Sequence, residues 1–202
     1  MQNEPRAIST ADKIALVDLL SATGLQKIET ASFVSPKWVP QMADGADVMA
    51  GIARAKGVAY TALTPNMTGL ERALEAKVDE VAVFGAASET FSQKNINCSI
   101  SESLERFEPV VAQALNEGVP VRGYVSCVTD CPYEGRIAPK AVAKVARALN
   151  DMGCYEVSLG DTIGKGEPDR VTAMLEAVLE HLPTEKTGAH FHDTNDLSLI
   201  HI

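Results

Sequence analysis

The chain has few aromatic residues and few histidines, and its cationic residues are outnumbered by acidic ones. Aromatic side chains make up 5% of the 202 residues, with one Trp and four His. Lys and Arg number 18 against 27 Asp and Glu, so the net charge is −9. No basic cluster is present that could follow a phosphate backbone. We therefore expect no nucleic-acid partner.

Long apolar runs are also missing. The longest, such as residues 78–87, are interrupted by acidic residues and are too short to span a bilayer. The first residues lack the charged-then-apolar pattern of a signal peptide. We expect a soluble protein without a membrane partner. The composition, 46% hydrophobic and 22% charged, is typical of one globular α/β domain with a sizeable core.

The few cysteines do not form a metal-binding pattern. None falls in the paired two-spacer arrangement of a zinc ribbon. Cys127 and Cys131 are spaced as a redox or metal pair can be, but no helix start lies between them to lower a thiol pKa. We expect four reduced thiols with structural roles, Cys98, Cys127, Cys131 and Cys154.

The chain does contain a regular alternation of strand and helix patterns. The predicted strands are 26–30, 58–63, 80–84, 119–125, 155–159 and 187–191. The predicted helices are 10–22, 45–55, 67–76, 101–116, 139–152 and 168–181. Leu16, Leu19 and Leu20 are placed on one face of the first helix. The alternation predicts a parallel sheet covered by helices, which is either a doubly wound sheet or a barrel.

The positions of the polar residues favour the barrel. Polar side chains stand at or just after nearly every predicted strand end, where the chemistry of a barrel lies: Glu29, Ser32, Thr64, Asn66, Ser88, Glu89, Ser126, Asp161, Thr162, His190 and His192. A doubly wound sheet would concentrate them at its switch point. Residues 160–166 (GDTIGKG) are neither a Walker loop nor a dinucleotide fingerprint. We predict a TIM (β/α)8 barrel with about six of its eight units present, and Asp161 pointing into its mouth.

The pattern with the most chemical content is residues 188–194, GAHFHDT. Alternate residues of a strand share a face, so His190 and His192 can hold one metal ion. The alternative is that one histidine binds metal and the other only forms a hydrogen bond in a polar barrel mouth.

Four further segments resemble 3-hydroxy-3-methylglutaryl-CoA lyase, the hydroxymethylglutaryl-CoA lyase family. They are residues 33–42 (FVSPKWVPQM), 84–89 (FGAASE), 94–99 (KNINCS) and 131–135 (CPYEG). Residues 160–164 and 190–193 agree in order and spacing as well, although a wider superfamily of metal-dependent synthases and aldolases shares them. The resemblance runs from residue 2 to residue 194, and residues 33–42 are its lyase-specific part.

The resemblance implies a barrel enzyme that cleaves 3-hydroxy-3-methylglutaryl-CoA to acetyl-CoA and acetoacetate, a reaction of leucine degradation and ketone-body metabolism. It implies a divalent cation, Mg²⁺ or Mn²⁺, a small-molecule acyl-CoA substrate, and a protein of the bacterial cytoplasm or, in a eukaryote, of the mitochondrial matrix. A homodimer is compatible with it. The alternatives are a related aldolase or acyl-CoA-condensing synthase of the same superfamily, or a non-catalytic metal-binding remnant.

By position, His190 and His192 match the family's metal ligands, and His190 also matches a residue of proton transfer. Glu29 and Asp161 match catalytic acids that orient the substrate or its water. For Asp161 the alternative is a cap within its own turn, and for Glu29 it is an ion pair. The positions that match the family's substrate pocket are Ser32, Asn95, Tyr124, Ser158 and Thr162.

Other features of the resembling segments are expected to be structural. A lone Trp in a proline-containing loop, Trp38, is expected to pack, and Lys37 and Lys94 are expected to be solvated charges.

The two ends depart from the family pattern. The chain begins inside the first-strand motif, without the Arg-Asp pair that precedes it. Residues 195–202 (NDLSLIHI) replace the sequence expected after Thr194, so the family's cysteine loop and asparagine ligand do not follow. We therefore expect a partial barrel lyase domain, of the pyruvate carboxyltransferase-like type, in residues 1–194. The expected non-native tail, residues 195–202, includes His201, to which we give no role.

Overall fold

The structure, a computed structural model, describes residues 4–194. The expected non-native tail at 195–202 lies outside the described residues. Among the helices of residues 4–194, none has the length and apolar character needed to cross a membrane.

Helices and strands alternate along the described chain. The helices are α1 (Thr10–Ser21), α2 (Gly45–Gly51), α3 (Met67–Glu75), α4 (Glu89–Ile96), α5 (Ile100–Asn116), α6 (Pro139–Asp151) and α7 (Pro168–Leu179). The strands are β1 (Lys27–Ser32), β2 (Ala59–Leu63), β3 (Glu80–Ala86), β4 (Val121–Ser126), β5 (Asp130–Cys131), β6 (Gly135–Arg136), β7 (Glu156–Gly160) and β8 (Thr187–His190). Each of the predicted elements is present, with bounds that differ by a few residues.

The order of the strands decides between the two predicted architectures. The main sheet has six strands in the order β1-β2-β3-β4-β7-β8, and the pairings of β1 with β2, β2 with β3, β4 with β7, and β7 with β8 are parallel. Each strand therefore lies beside the one that precedes it in the main sheet. A doubly wound sheet would reverse direction at a switch point, so this is the strand order of a TIM barrel, six of whose eight strand–helix units are described.

The chain divides into two compact units, with β3 continuing from the first into the second. In the first unit, which comprises residues 4–83 and Gln113–Pro120 of the described chain, the core is built from β1, β2, the start of β3 and the helices α1 to α3. In the second unit, which begins at Phe84, α6 buries one face with Val142, Val145 and Leu149. Proline at the first turn of α6 and of α7 fits those helix starts, because a first-turn N–H has no partner within the helix.

Three features differ from the sequence prediction. Helix α4 was not predicted; its N-cap Ser88 accepts a hydrogen bond from the Phe91 amide at 3.1 Å, and a serine followed by an acidic residue is a signal that could have located it. The hairpin of β5 and β6 was also not predicted, because its strands are two residues long. The face of α1 that carries Leu16 and Leu19 is not its buried face, because Leu16 is 41% and Leu19 70% exposed.

Helix α1 instead buries a cation. Lys13 is 3% exposed, and its Nζ donates to the Gln41 carbonyl at 2.5 Å and to Asp44 Oδ1 at 2.7 Å. Burial raises the pKa of Asp44, but hydrogen bonds from Lys13 and Thr10 outweigh it and leave the pKa below its ordinary value. An ammonium with such partners can be buried, which is why apolar spacing did not identify the buried face.

Candidate functional site at the strand ends

The register of β4, β7 and β8 places three predicted site residues on one face of the sheet. A Cβ added to Gly123 would meet Leu149 of α6, so Gly123 faces that helix and its neighbour Tyr124 faces the opposite side. Tyr124 pairs with Ser158 and Ser158 pairs with Gly188. Two residues further toward the C-terminal ends of these strands, Gly160 pairs with His190. Tyr124, Ser158 and His190 therefore share the face that looks away from α6.

Below Tyr124 this face carries a charged pair. Arg122 forms an ion pair with Glu156 on the neighbouring strand, and its guanidinium carbon lies 5.3 Å from the centroid of the Tyr124 ring. A Cβ at Gly188 would come within 2.6 Å of Glu156 Oε1. The glycine thus leaves room for the ion pair, which forms the floor under Tyr124 and Ser158.

The two histidines lie at the end of β8, and the backbone of Asp161 contacts both. Their ring centroids are 5.2 Å apart, and both residues are exposed. The Asp161 amide donates to the His190 carbonyl at 2.9 Å, and His192 Nδ1 lies 2.6 Å from the Asp161 carbonyl oxygen. A carbonyl oxygen only accepts, so Nδ1 of His192 carries the hydrogen. The Nε2 lone pair of a neutral His192 is therefore available to a ligand.

The Asp161 carboxylate does not point into open space. It is 1% exposed and accepts three hydrogen bonds: from Thr129 Oγ1 at 2.8 Å, from the Lys165 amide at 3.1 Å and from the Gly166 amide at 2.8 Å. Two of the three donors belong to its own loop, as the alternative of a cap within its turn requires. The predicted direction of Asp161, into the barrel mouth, stays a prediction.

Thr162, a predicted pocket residue, is tied to the segment after β4. Its Oγ1 accepts a hydrogen bond from the Cys127 amide at 2.8 Å, and the Val128 amide donates to the Gly160 carbonyl at 3.2 Å. Cys127 has a φ of 61°, a left-handed conformation that is uncommon for a residue with a side chain. Such outliers concentrate at functional sites.

The cysteines are free thiols and buried, in agreement with the expectation. Burial raises the pKa of Cys127 to about 12. Burial also raises the pKa of Cys131, but the Ser88 hydroxyl and the amides of Tyr133 and Glu134 outweigh it and leave the pKa below its ordinary value. The donors that lower the pKa of Cys131 thus include the turn that follows it, rather than a helix start between the two cysteines.

In the first unit, a bulge brings Glu29 and Ser32 to the same face of β1. Glu29 pairs with Thr61, but Ala31 pairs with Ala62 and Ser32 with Leu63, so Thr30 is an extra residue. Residues three apart would ordinarily face opposite sides, and the insertion reverses this. A Cβ at Gly45 of α2 would lie 3.3 Å from Ala31 Cβ, so Glu29 and Ser32 face away from that helix.

The hydroxyl of Ser32 is buried and has no hydrogen-bond partner among the described residues. A buried polar atom without a partner is costly unless water or a ligand supplies one. Glu29 is exposed. Asn95, the remaining predicted pocket residue, is exposed on α4.

Trp38 lies in the segment that follows β1, and the expectation that it packs is wrong. Its side chain is 85% exposed. The segment is shaped by its backbone, since the amides of Trp38 and Val39 both donate to the Ser35 carbonyl. Lys94 is not merely solvated, because its Nζ lies 4.0 Å from the centroid of the Tyr133 ring.

The chain is similar to known proteins over its whole length. The HMGL-like family model matches residues 1–199. The chain is 59% identical over 202 residues to the 3-hydroxy-3-isohexenylglutaryl-CoA/hydroxy-methylglutaryl-CoA lyase of Pseudomonas aeruginosa, covering 100% of this chain and 67% of that protein.

Solved structures of hydroxymethylglutaryl-CoA lyases are also similar to this chain. The HMG-CoA lyase of Brucella melitensis superposes with a TM-score of 0.94 at 58% identity, over 95% of this chain and 68% of that one. An HMG-CoA lyase of Acinetobacter baumannii, in complex with coenzyme A and 3-methylmalate, superposes with a TM-score of 0.91 at 34% identity, over 97% of this chain and 64% of that one. The chain spans between 59 and 68% of the length of the curated relatives that it matches. It belongs to the HMGL-like family, and its similarity to hydroxymethylglutaryl-CoA lyases extends over its whole length.

Proposed function

We propose that this chain carries most of the site of a metal-dependent carbon–carbon lyase that cleaves 3-hydroxy-3-methylglutaryl-CoA to acetyl-CoA and acetoacetate. The observation that carries the proposal is the proximity of His190 and His192 at the C-terminal end of β8, where both form hydrogen bonds with the backbone of Asp161. The chain that contains this pair belongs to the HMGL-like family. The bound coenzyme A of the Acinetobacter relative supports an acyl-CoA substrate.

The donor set fits a divalent cation, Mg²⁺ or Mn²⁺. The ring separation of 5.2 Å allows one nitrogen from each imidazole to reach a common ion. The hydrogen bond of His192 to a backbone carbonyl is of the kind that orients a metal-ligating imidazole. Among residues 4–194, no group of three His, Cys, Asp or Glu side chains is placed to hold a metal.

The reaction removes the proton of the tertiary hydroxyl and breaks the bond between the carbinol carbon and the methylene of the thioester. The electron pair of that bond passes into the thioester enolate, a proton returned to carbon gives acetyl-CoA, and the carbinol becomes the ketone of acetoacetate. When bound, the cation withdraws electron density from the hydroxyl and carboxylate oxygens and lowers the cost of deprotonation. The enolate charge requires fixed donors or cations beside it.

The chain's own residues take the following roles in the proposal. His190 and His192 hold the cation, and His190 also carries a proton. Asp161 and Glu29 are proposed to orient the bound substrate; for Asp161 this is indirect, through the loop that its carboxylate holds. The buried, unpartnered hydroxyl of Ser32 supports a substrate contact there. The other proposed substrate-binding residues are Asn95, Tyr124, Ser158 and Thr162. The proposal includes a place in leucine and ketone-body metabolism, in the cytoplasm of a bacterium or the mitochondrial matrix of a eukaryote.

The test is turnover of 3-hydroxy-3-methylglutaryl-CoA with added Mg²⁺ or Mn²⁺, measured as acetoacetate released. Because the relatives are longer, the 202-residue chain is compared with the product of its gene resequenced on both sides. His190→Ala should lower kcat at least about a thousandfold with an unchanged circular dichroism spectrum, since it removes a ligand and a proton carrier. His181→Ala, an exposed histidine after α7, is the matched control and should keep full activity.

Near-normal turnover by His190→Ala would remove His190 from the mechanism. Products other than acetyl-CoA and acetoacetate, or condensation in place of cleavage, would favour an aldolase or synthase. Metal binding without turnover in either protein would favour a non-catalytic remnant.

A further inference from the structure

Thr129 lies in the segment between β4 and β5, outside every predicted motif role. Its side chain is 4% exposed, and its Oγ1 donates to Asp161 Oδ1 at 2.8 Å. Its own carbonyl accepts a hydrogen bond from the Ile137 amide at 3.0 Å, which ties Thr129 to the end of the β5–β6 hairpin. The hydroxyl is therefore presented from an anchored backbone.

This hydroxyl is the donor to the Asp161 carboxylate that comes from outside its own loop. The other two donors, the amides of Lys165 and Gly166, follow Asp161 by four and five residues. They set the shape of the loop, but they cannot fix its position relative to the neighbouring strand, because they move with it. The hydrogen bond from Thr129 joins the loop to a segment 32 residues away in sequence.

Two other hydrogen bonds join the segment after β4 to the end of β7 and the loop that follows it. The Val128 amide donates to the Gly160 carbonyl, and the Cys127 amide donates to Thr162 Oγ1. Three consecutive residues thus contact three consecutive residues, and the bond from Thr129 is the one that reaches a charged acceptor. Hydrogen bonds to charged groups are stronger than those between neutral groups.

The main chain of Asp161 in turn contacts both histidines. Its amide holds the His190 carbonyl and its carbonyl accepts from Nδ1 of His192. A carboxylate that shifts by a fraction of an ångström carries this peptide with it. The orientation of the His192 ring, and which of its two nitrogens is protonated, then depend on the Thr129 hydroxyl, which contacts neither histidine.

We infer that Thr129 is a positioning residue, whose hydroxyl fixes Asp161 so that the Asp161 carbonyl holds His192 in the tautomer with a free Nε2. The inference rests on the proposed function where it concerns the cation. The tautomer itself does not depend on metal or turnover.

The experiment compares Thr129→Val, which keeps the shape and removes the hydroxyl, with Thr129→Ser, which keeps the hydroxyl. The matched control is Thr64→Val, because the Thr64 hydroxyl is fully buried but donates to the Ala82 carbonyl at 3.2 Å rather than to a carboxylate. Mn²⁺ binding is measured by electron paramagnetic resonance on protein without substrate. The tautomer of His192 is measured on metal-free protein by long-range ¹H–¹⁵N correlation at a pH where the ring is neutral.

We expect Thr129→Val to weaken Mn²⁺ binding about tenfold, the lower end of what outer hydrogen-bond partners of ligands cost, and to mix the His192 tautomers. Thr129→Ser should restore both, and Thr64→Val should change neither. A single Nδ1–H tautomer in Thr129→Val, with only its thermal stability lowered, would show that the hydroxyl is merely structural. If wild-type protein binds no Mn²⁺ but shows the tautomer effect, the proposed function fails while the positioning role stands.

Discussion

Two loops that follow strand ends, one after β1 and one after β7, are held by buried charges of opposite sign. After β7, the Asp161 carboxylate accepts hydrogen bonds from one hydroxyl and two backbone amides. After β1, the Lys13 ammonium gathers the Gln41 carbonyl and the Asp44 carboxylate. An anion suits a loop with free N–H groups and a cation suits one with free carbonyls. One buried carboxylate therefore holds the loop after β7, and an ion pair of Lys13 with Asp44 holds the loop after β1.

The two loops differ in what they present. The carboxylate of Asp161 sits within the loop it holds, and the same residue's backbone contacts His190 and His192. Lys13 anchors only the far end of its segment, and Trp38 in the middle remains 85% exposed. The β7 loop is therefore the more tightly determined of the two.

Asp161→Ala is expected to destabilise the β7 loop strongly. It leaves the Thr129 hydroxyl and the amides of Lys165 and Gly166 without their acceptor, and we expect a loss of about 3 kcal/mol in the free energy of unfolding. Urea denaturation measures it. Asp151→Ala is the control, because Asp151 is 59% exposed in its ion pair with Arg147, and such a pair contributes about 0.5 kcal/mol or less. Equal losses in the two variants would contradict the comparison.

Gly164→Ala tests how closely the β7 loop approaches the histidines. Gly164 has a φ of +64°, and an added Cβ would lie 3.0 Å from His192 Cβ and would clash with Thr194 Oγ1. Gly118→Ala is the matched control, with a φ of +75° and nothing within 4 Å of its added Cβ. The control should lose about 1 kcal/mol for the backbone conformation alone. Gly164→Ala should lose more and shift the His192 ring resonances; equal losses with unmoved resonances would argue against the close approach.

Trp38→Ala should have the smallest effect on stability, within about 0.5 kcal/mol, because an exposed side chain loses little packing. Phe33→Ala, five residues earlier in the same segment, should cost about 3 kcal/mol or more, since Phe33 is 2% exposed. Thermal unfolding compares the two. In the wild type, iodide should quench the fluorescence of the single Trp. Protection from iodide, or a large loss for Trp38→Ala, would show that the indole is covered.

Low pH should weaken the ion pair that holds the loop after β1. The pKa of Asp44 is lowered in the folded protein, so its pairing with Lys13 stabilises the fold above the ordinary pKa of an aspartate. This contribution is lost as the pH falls through the lowered, folded-state value. Asp44→Asn should therefore unfold with a shallower dependence on pH below the ordinary value than wild type does. An unchanged pH dependence would mean that Asp44 contributes nothing through its charge.

The sequence predicted what repeats along the chain. The six strands of the main sheet and helix α6 have regular patterns, and their positions were close. The proximity of His190 and His192 could be predicted because the two residues are close in sequence, whereas their binding of a metal stays a prediction. Glu29 and Ser32 lie on the same face of β1 only because of a β-bulge, which a regular alternation pattern does not predict.

What the sequence did not predict depends on contacts between distant residues. The hydrogen bond from Thr129 to Asp161 joins residues 32 apart and leaves no periodic trace. The buried face of α1 was missed because Lys13 reads as polar until its partners on Gln41 and Asp44 are known. The proposed roles of the site residues come from family resemblance, and they stay predictions.

The most direct test of the account is X-ray absorption at the manganese edge on Mn²⁺-loaded protein, compared with its His192→Ala variant. Imidazole rings bound to a metal give multiple-scattering features that report their number. We predict two imidazole ligands in the wild type and one in His192→Ala. A manganese shell of oxygen atoms alone, unchanged by the substitution, would contradict the claim that this strand end presents its two histidines to a metal.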